Sequence, residues 1–373
     1  MLTSDQNRKI NEIVEEFKEA ADFYRMEYSE DLMGMFRDFG CMLLLKCKVD
    51  TEGKADLERL LEGRHKLKGT VKRQLMTVSE ELAQLWAPGE QDGSGDTGEY
   101  EGSQNVREMF QTALEEIFHF CLYSKGGKNR YLLPEETAKP LLRLLTFPEG
   151  MMAGNEGLVV LDTQCGAGSA LMAASRYLKN LRLMGYEKDE EMWAAAVIMS
   201  QLSGLEMELH LEDGARADLY ESCDLVISNP VYGTDTIKDE ELIDQLPGEL
   251  KTVRGRYHME LIRSMQALNF DGKAMLIVPN SFLFANRTES MKVRKWLLQS
   301  YSLEAIISLP EDTFMYSGVR SGVMVFSKPF MSGGWEGHTQ RVLYYNLEKQ
   351  EDKEKQQKEY ERLEEVWSQR DSY

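Results

Sequence analysis

Asn229-Pro230-Val231-Tyr232 closes the apolar run Asp224-Leu225-Val226-Ile227-Ser228, and its residue types suit the capture of an exocyclic amine. The Asn229 side-chain oxygen and the Pro230 carbonyl can each accept a hydrogen bond from one amino group, while the Tyr232 ring offers a stacking face for a planar base. Adenine N6 is the obvious fit. An Asn-Pro pair after a strand is also ordinary turn chemistry, so the tetrapeptide alone leaves both readings open.

Upstream, Leu158-Val159-Val160-Leu161-Asp162 reads as a buried strand feeding the turn Thr163-Gln164-Cys165-Gly166-Ala167-Gly168-Ser169, with a helix from Ala170 to Leu178. Gly166 and Gly168 let the backbone pass close to a ligand, and the helix that follows turns its positive end toward it. A lone G-x-G is weak evidence. Leu171 occupies the place of the third glycine of the dinucleotide fingerprint, which disfavours NAD or FAD. A second strand, Leu181 to Tyr186, ends on Glu187, about where Rossmann-like folds place an acid for ribose hydroxyls; Asp213 follows a third short strand. Each acid alone reads as a strand-end charge, and it is their order along the chain that carries weight.

The elements that must position these residues require a sizeable core. The chain has 373 residues, 42% of them hydrophobic, which allows two domains. Residues 5–85 place apolar side chains at helical spacing, as at Ile10, Ile13, Val14, Phe17, Ala20 and Ala21, and predict a helical bundle. Residues 87–105 are rich in Gly, Glu, Asp and Ser and read as a flexible acidic linker, with a helix resuming over Val106 to Tyr123. The expected division is a helical domain over 1–104, a catalytic domain over 105–330, and a C-terminal extension over 331–373 with a mixed-charge helix from Glu348 to Trp367. Tyr360, Leu363 and Trp367 fall near one edge of that helix. It reads either as a solvated element or as a docking helix.

No apolar run approaches the roughly 18 residues of a spanning helix, and the first residues do not read as a secretion signal, so a cytoplasmic protein without membrane contact is expected. Five scattered cysteines imply reduced thiols, and none has zinc spacing, so no metal is expected. His258, in Tyr257-His258-Met259-Glu260, reads as a surface or capping residue. The net charge of −19 works against autonomous DNA binding, which relies on lysine and arginine neutralising phosphates.

In order and spacing these motifs resemble those of adenine-N6 DNA methyltransferases, most closely the modification subunits of type I restriction-modification systems, over residues 105–330. Asp162-x-x-Cys165-Gly166-x-Gly168 is similar to the first S-adenosylmethionine motif, Gly185-x-Glu187 to the ribose motif, Asp213 to the adenine-side acid, and residues 229–232 to Asn-Pro-Pro-Tyr/Phe. Tyr131-Leu132-Leu133-Pro134 sits where the family carries a Phe-Tyr-Thr-Pro cofactor segment. Leu268 to Pro279, Leu303 to Pro310, Phe314, Gly318-Val319 and Gly322 to Phe326 continue the likeness.

The resemblance implies a Rossmann-like class I methyltransferase sheet in an α/β fold, preceded by the α-helical domain. It implies S-adenosylmethionine held by Tyr131, Leu132, Leu133, Pro134, Asp162, Gly166, Ala167, Gly168, Ser169, Glu187 and Asp213, and catalysis by Asn229, Pro230 and Tyr232. It further implies DNA engaged through a partner, a specificity subunit with target-recognition domains, for which the roughly forty residues after Phe330 leave no room. The N-terminal bundle and the Glu348 to Trp367 helix are expected to supply part of the docking surface.

Three departures bear on the site. Leu133 removes a threonine hydroxyl, Lys188 replaces an apolar residue against the cofactor's adenine, its stem able to cover the ring while its charge reaches water, and Val231 replaces the second proline. Both amine acceptors survive the last change, but the loop gains freedom to lose, at about 1 kcal/mol. A weakened methyltransferase fold serving assembly, and an amine methyltransferase acting on RNA or protein, remain alternatives.

Overall fold

A computed structural model describes residues 2–50, 54–62, 67–86, 97–124, 132–145, 157–220, 222–233, 235–311, 313–314, 319–328, 341–350 and 352–369. They divide into two compact units, Met1–Arg130 with Glu190–Glu206, and Tyr131–Asp189 with Met207–Tyr373.

The first unit is helical: α1 (Ser4–Glu27), α2 (Met33–Lys46), α3 (Ala55–Glu62), α4 (Gly69–Ala83) and α5 (Thr97–Leu122). Thr3 and Gln6 close a reciprocal capping box at the start of α1, and every apolar position read from its periodicity is buried. The edge of Phe17 meets Phe39 with centroids 5.0 Å apart. α5 starts at Thr97, so residues 97–105 of the expected linker are helical. The helix from Glu190 to Leu202 also packs here, although along the chain it lies between two strands of the second unit. It is buried nearly all round, from Met192 to Ser200. Gly40 of α2 lets it come close, because a Cβ there would lie 2.4 Å from Ile198 Cδ1.

The second unit is an eight-stranded sheet: β1 (Leu158–Asp162), β2 (Leu181–Glu187), β3 (Glu208–Leu211), β4 (Cys223–Ser228), β5 (Leu268–Pro279), β6 (Ser302–Ser308), β7 (Ser321–Ser327) and β8 (Leu343–Asn346), in the order β3-β2-β1-β4-β5-β7-β6-β8. β1 to β5 run parallel to one another, and β7 is antiparallel between β5 and β6. β4 and β7 read as nearly unbroken apolar runs because both are almost wholly buried. The remaining helices are α6 (Glu135–Arg143), α7 (Ser169–Tyr177), α8 (the Glu190–Leu202 helix above), α9 (Glu240–Asp244), α10 (Arg256–Gln266), α11 (Asn280–Phe284), α12 (Thr288–Ser300) and α13 (Lys353–Gln369). None of the described helices is long and apolar enough to cross a membrane.

Two features lie beyond the boundary expected at residue 330. β8 pairs in parallel with β6 and extends the sheet. α13 lies against α6, where Arg143 Nη1 donates to Glu364 Oε1 at 3.0 Å, and Leu363 and Trp367 are buried in the unit itself. The apolar edge expected to meet a partner is therefore taken up within the chain.

Candidate active site

β1 pairs with β2 on one side and β4 on the other, so the strand order reverses at β1, and ligands of open α/β sheets collect beyond the carboxyl ends at such a point. The β1–β4 register, Leu161 opposite Val226, brings Asp162 and its turn alongside the end of β4 and Asn229.

The turn from β1 into α7 needs its two glycines: Gly166 has φ 56° and Gly168 φ 79°, where a Cβ is strained. Cys165 N–H donates to Tyr186 O at 2.9 Å, and Gly168 N–H to Cys165 O at 2.8 Å. Gly166 N–H donates to Glu187 Oε2 at 3.0 Å, while Glu187 Oε1 accepts Asp189 N–H at 2.7 Å. The glycine turn and the strand-end acid, read separately in the sequence, thus share a hydrogen bond. Gly185 leaves room for the turn, since its Cβ would lie 2.8 Å from Cys165 Sγ. Leu133 N–H donates to Ser169 Oγ at 3.3 Å, which places Leu132, Leu133 and Pro134 against the start of α7. The Leu133 side chain is buried. Tyr131 lies outside the described residues.

Asp162 is 2% exposed, and Oδ1 accepts Gln164 N–H at 3.0 Å. Burial, partly offset by that bond and reinforced by the charge of Glu187, pushes its pKa up to about 7. Burial likewise raises Glu187. Asp213 behaves oppositely. Burial would raise it, but Arg256 outweighs burial and holds the carboxyl below its ordinary range. Arg256 Nη2 donates to Asp213 Oδ2 at 2.8 Å and Nη1 to Oδ1 at 3.3 Å, and Nη1 also reaches Glu260 Oε1 at 2.9 Å.

Sequence reasoning passed over Arg256 and Glu260. Their four-residue spacing, at the start of a helix that leads into β5, was the available signal. Lys188 differs from expectation too: its Nζ lies 3.9 Å from Glu260 Oε1, so its charge faces this acid as well as water. His258 is half-buried rather than a surface residue, with Nε2 2.9 Å from Ser290 Oγ and Nδ1 3.5 Å from Glu289, and burial lowers its pKa.

At the end of β4, Pro230 is buried, Asn229 and Tyr232 are half-buried, and Val231 is 43% exposed. The Tyr232 ring meets Tyr257 at 72° with centroids 5.7 Å apart, and its hydroxyl donates to Ser321 Oγ on β7 at 3.3 Å. The tetrapeptide is thus braced from α10 and from β7, two elements distant from it in sequence.

Sheet order, glycine turn and strand-end acids together define a class I S-adenosylmethionine-dependent methyltransferase fold. A protein of Listeria monocytogenes described as such a methyltransferase superposes with TM-score 0.68 at 17% identity, covering 97% of this chain and 99% of that one. The chain belongs to the N-6 DNA methylase family, whose profile matches residues 107–371; S-adenosylmethionine is the methyl donor that this family and fold imply. Among curated relatives, the type II restriction enzyme and methyltransferase RM.BcgI of Heyndrickxia coagulans is 26% identical over 213 residues, 52% of this chain and 31% of that protein. The type I restriction enzyme MjaVII methylase subunit of Methanocaldococcus jannaschii is 24% identical over 298 residues, 73% of this chain and 47% of that one. In both cases the matched region is less than half of the relative.

Proposed function

We propose that this chain is a cytoplasmic DNA methyltransferase that moves a methyl group from S-adenosylmethionine to adenine N6, as the modification subunit of a restriction-modification assembly. The observation that carries this reading is the pairing of β1 with β4 as adjacent parallel strands, one leading into the glycine turn and the other into the Asn229-Pro230-Val231-Tyr232 segment, in a chain of the N-6 DNA methylase family.

The donor set fits the cofactor. S-adenosylmethionine presents an ammonium, a ribose diol and an adenine amino group, and the chain sets Asp162, Glu187 and Asp213 at the carboxyl ends of β1, β2 and β3. Asp162 would take the ammonium, Glu187 the ribose and Asp213 the adenine amino group. Residues 131–134 and 166–169 would wall the methionine end. When bound, the cofactor supplies a methyl group on a sulfonium, already a good leaving group.

The chain's own residues supply position. The Asn229 side-chain oxygen and the Pro230 carbonyl would accept the two N6 protons of a target adenine, which turns the nitrogen lone pair away from them, and Tyr232 would stack on the base. Orientation and fixed dipoles carry such a step without a proton shuttle at the outset.

DNA would be held through a partner, a specificity subunit with target-recognition domains, because a net charge of −19 gives little grip on phosphates. The exposed Phe23, Met26, Leu45 and Met76 of the helical unit would supply part of the docking surface. The test uses labelled cofactor and DNA lacking adenine methylation, with and without the candidate partner. Label on adenine N6, reduced at least about a hundredfold in Asn229→Ala, is expected; label on cytosine, or none under any condition, refutes the reading. Tight site-specific DNA binding by the isolated chain would refute the partner requirement.

A further inference from the structure

We propose that Arg256 is a positioning residue of the cofactor site: it fixes Asp213 as an acceptor and ties that acid to the loop that follows the catalytic tetrapeptide, a role that presupposes the cofactor site proposed above. Three contacts converge on it, with Asp213, with Glu260 and with the main chain of Asp235.

Arg256 grips Asp213 with both arms of its guanidinium, at 2.8 and 3.3 Å. A two-armed grip sets the plane of a carboxylate, which a lysine cannot do. Asp213 Oδ1 also accepts Ala215 N–H at 3.2 Å, so its two lone-pair directions are taken, whereas among the described residues Oδ2 accepts only Arg256 at hydrogen-bonding distance, with Arg216 Nε at 3.9 Å. The arginine thereby leaves Oδ2 as the oxygen with capacity for one more donor.

The guanidinium is itself held. Glu260, one helical turn on, accepts from Nη1 at 2.9 Å while its side chain is only 5% exposed, and Lys188 Nζ stands 3.9 Å from the same oxygen. The segment after Asp213 is clamped by the same helix, with Arg263 donating to Ala215 O at 2.9 Å and to Ala217 O at 2.8 Å. Gly214 packs so tightly on Thr163 that its Cβ would lie 2.3 Å from Thr163 O.

The main chain of Arg256 points elsewhere. Its N–H donates to Asp235 O at 2.8 Å, and Ile237 N–H donates to Arg254 O at 2.7 Å, a short antiparallel bridge between the loop that leaves Tyr232 and the start of α10. One residue therefore has its side chain on the cofactor-side acid and its backbone on the catalytic loop.

The test is calorimetry of the full chain with S-adenosylhomocysteine and with its inosine counterpart, in which an oxo group replaces the adenine amino group. The wild type should prefer the adenosine form by about tenfold, and Arg256→Gln should lose that preference while holding the inosine form within about twofold of wild type. Arg256→Lys, which keeps the charge without the fork, should recover part of it. Thermal melts confirm folding, and Arg256→Lys carries the comparison if the glutamine variant does not fold. A variant that keeps the preference, or that loses both ligands equally, overturns the role assigned to Arg256. Saturating S-adenosylhomocysteine should slow amide exchange over residues 235–256 in the wild type and not in Arg256→Gln; equal slowing in both overturns the tie to the loop. A wild type that binds neither ligand overturns the cofactor site itself, a result distinct from a binding-competent wild type with an indifferent variant.

Discussion

Asp162→Asn should make the ligand-free chain more stable at pH 8 and less stable at pH 4. The carboxyl is almost wholly buried, and its pKa stands at about 7 against an ordinary 3.8. The folded state therefore keeps the proton over a range where the unfolded chain has lost it. The stability linked to that proton is fully present below about pH 4 and disappears as pH rises through about 7. A shift of roughly three units corresponds to about 4 kcal/mol at pH 8 and about 2 kcal/mol at pH 5.5. Asparagine keeps an acceptor for Gln164 N–H but brings amide hydrogens of its own, a cost of about 1 kcal/mol, so the net gain at pH 8 is about 3 kcal/mol. Urea unfolding of both proteins from pH 4 to 8.5 measures the difference. The same substitution should weaken S-adenosylhomocysteine, because the buried charge that destabilises the free chain is the one proposed to meet the ligand's ammonium. Wild-type affinity should accordingly rise by about tenfold between pH 6 and 8 as Asp162 ionises, and the variant's should stay flat. A stability difference that does not change with pH, or a variant less stable at pH 8, would refute the reasoning.

Val231→Pro should keep or raise methyl transfer with little change in S-adenosylhomocysteine affinity, since the side chain is 43% exposed and proline only pre-orders the segment; lower transfer would show a loop rebuilt around valine. Leu363→Ala should destabilise the methyltransferase unit by about 2–5 kcal/mol in urea melts, because the side chain is fully buried; an unchanged midpoint would return α13 to the role of a free docking helix. Gly214→Ala should cost about 1–3 kcal/mol through the clash with Thr163 O and weaken S-adenosylhomocysteine by displacing Asp213; a variant of wild-type stability and affinity would contradict the close approach.

The residues that carry the proposed chemistry were legible because their function rests on residue type at neighbouring positions. A glycine turn after an apolar strand, an acid at a strand end and Asn-Pro-x-Tyr are each set within a few residues; β1 to β4 followed from short apolar runs and the buried face of α1 from helical spacing, while the stretches of β5 to β7 came from the family resemblance. The sequence by itself thus determined the fold class, the order of the site's parts and the family they resemble. What it left undecided depends on contacts between residues far apart in the chain. Gly166 meets Glu187, Leu133 meets Ser169, Asp213 meets Arg256 and Tyr232 meets Ser321 only because the parallel register and the strand order β1-β4-β5-β7 place them side by side. The acidic stretch read as a linker turns helical from Thr97, and the helix between β2 and β3 is buried among the N-terminal helices. A charged tail read as a docking helix buries Leu363 and Trp367 within its own unit. In the last two cases local composition was outweighed by the apolar surface that only the assembled chain brings together, and the ionisation of Asp162 and Asp213 was decided there too: one acid is buried with no cation beside it among the described residues, the other is held by Arg256.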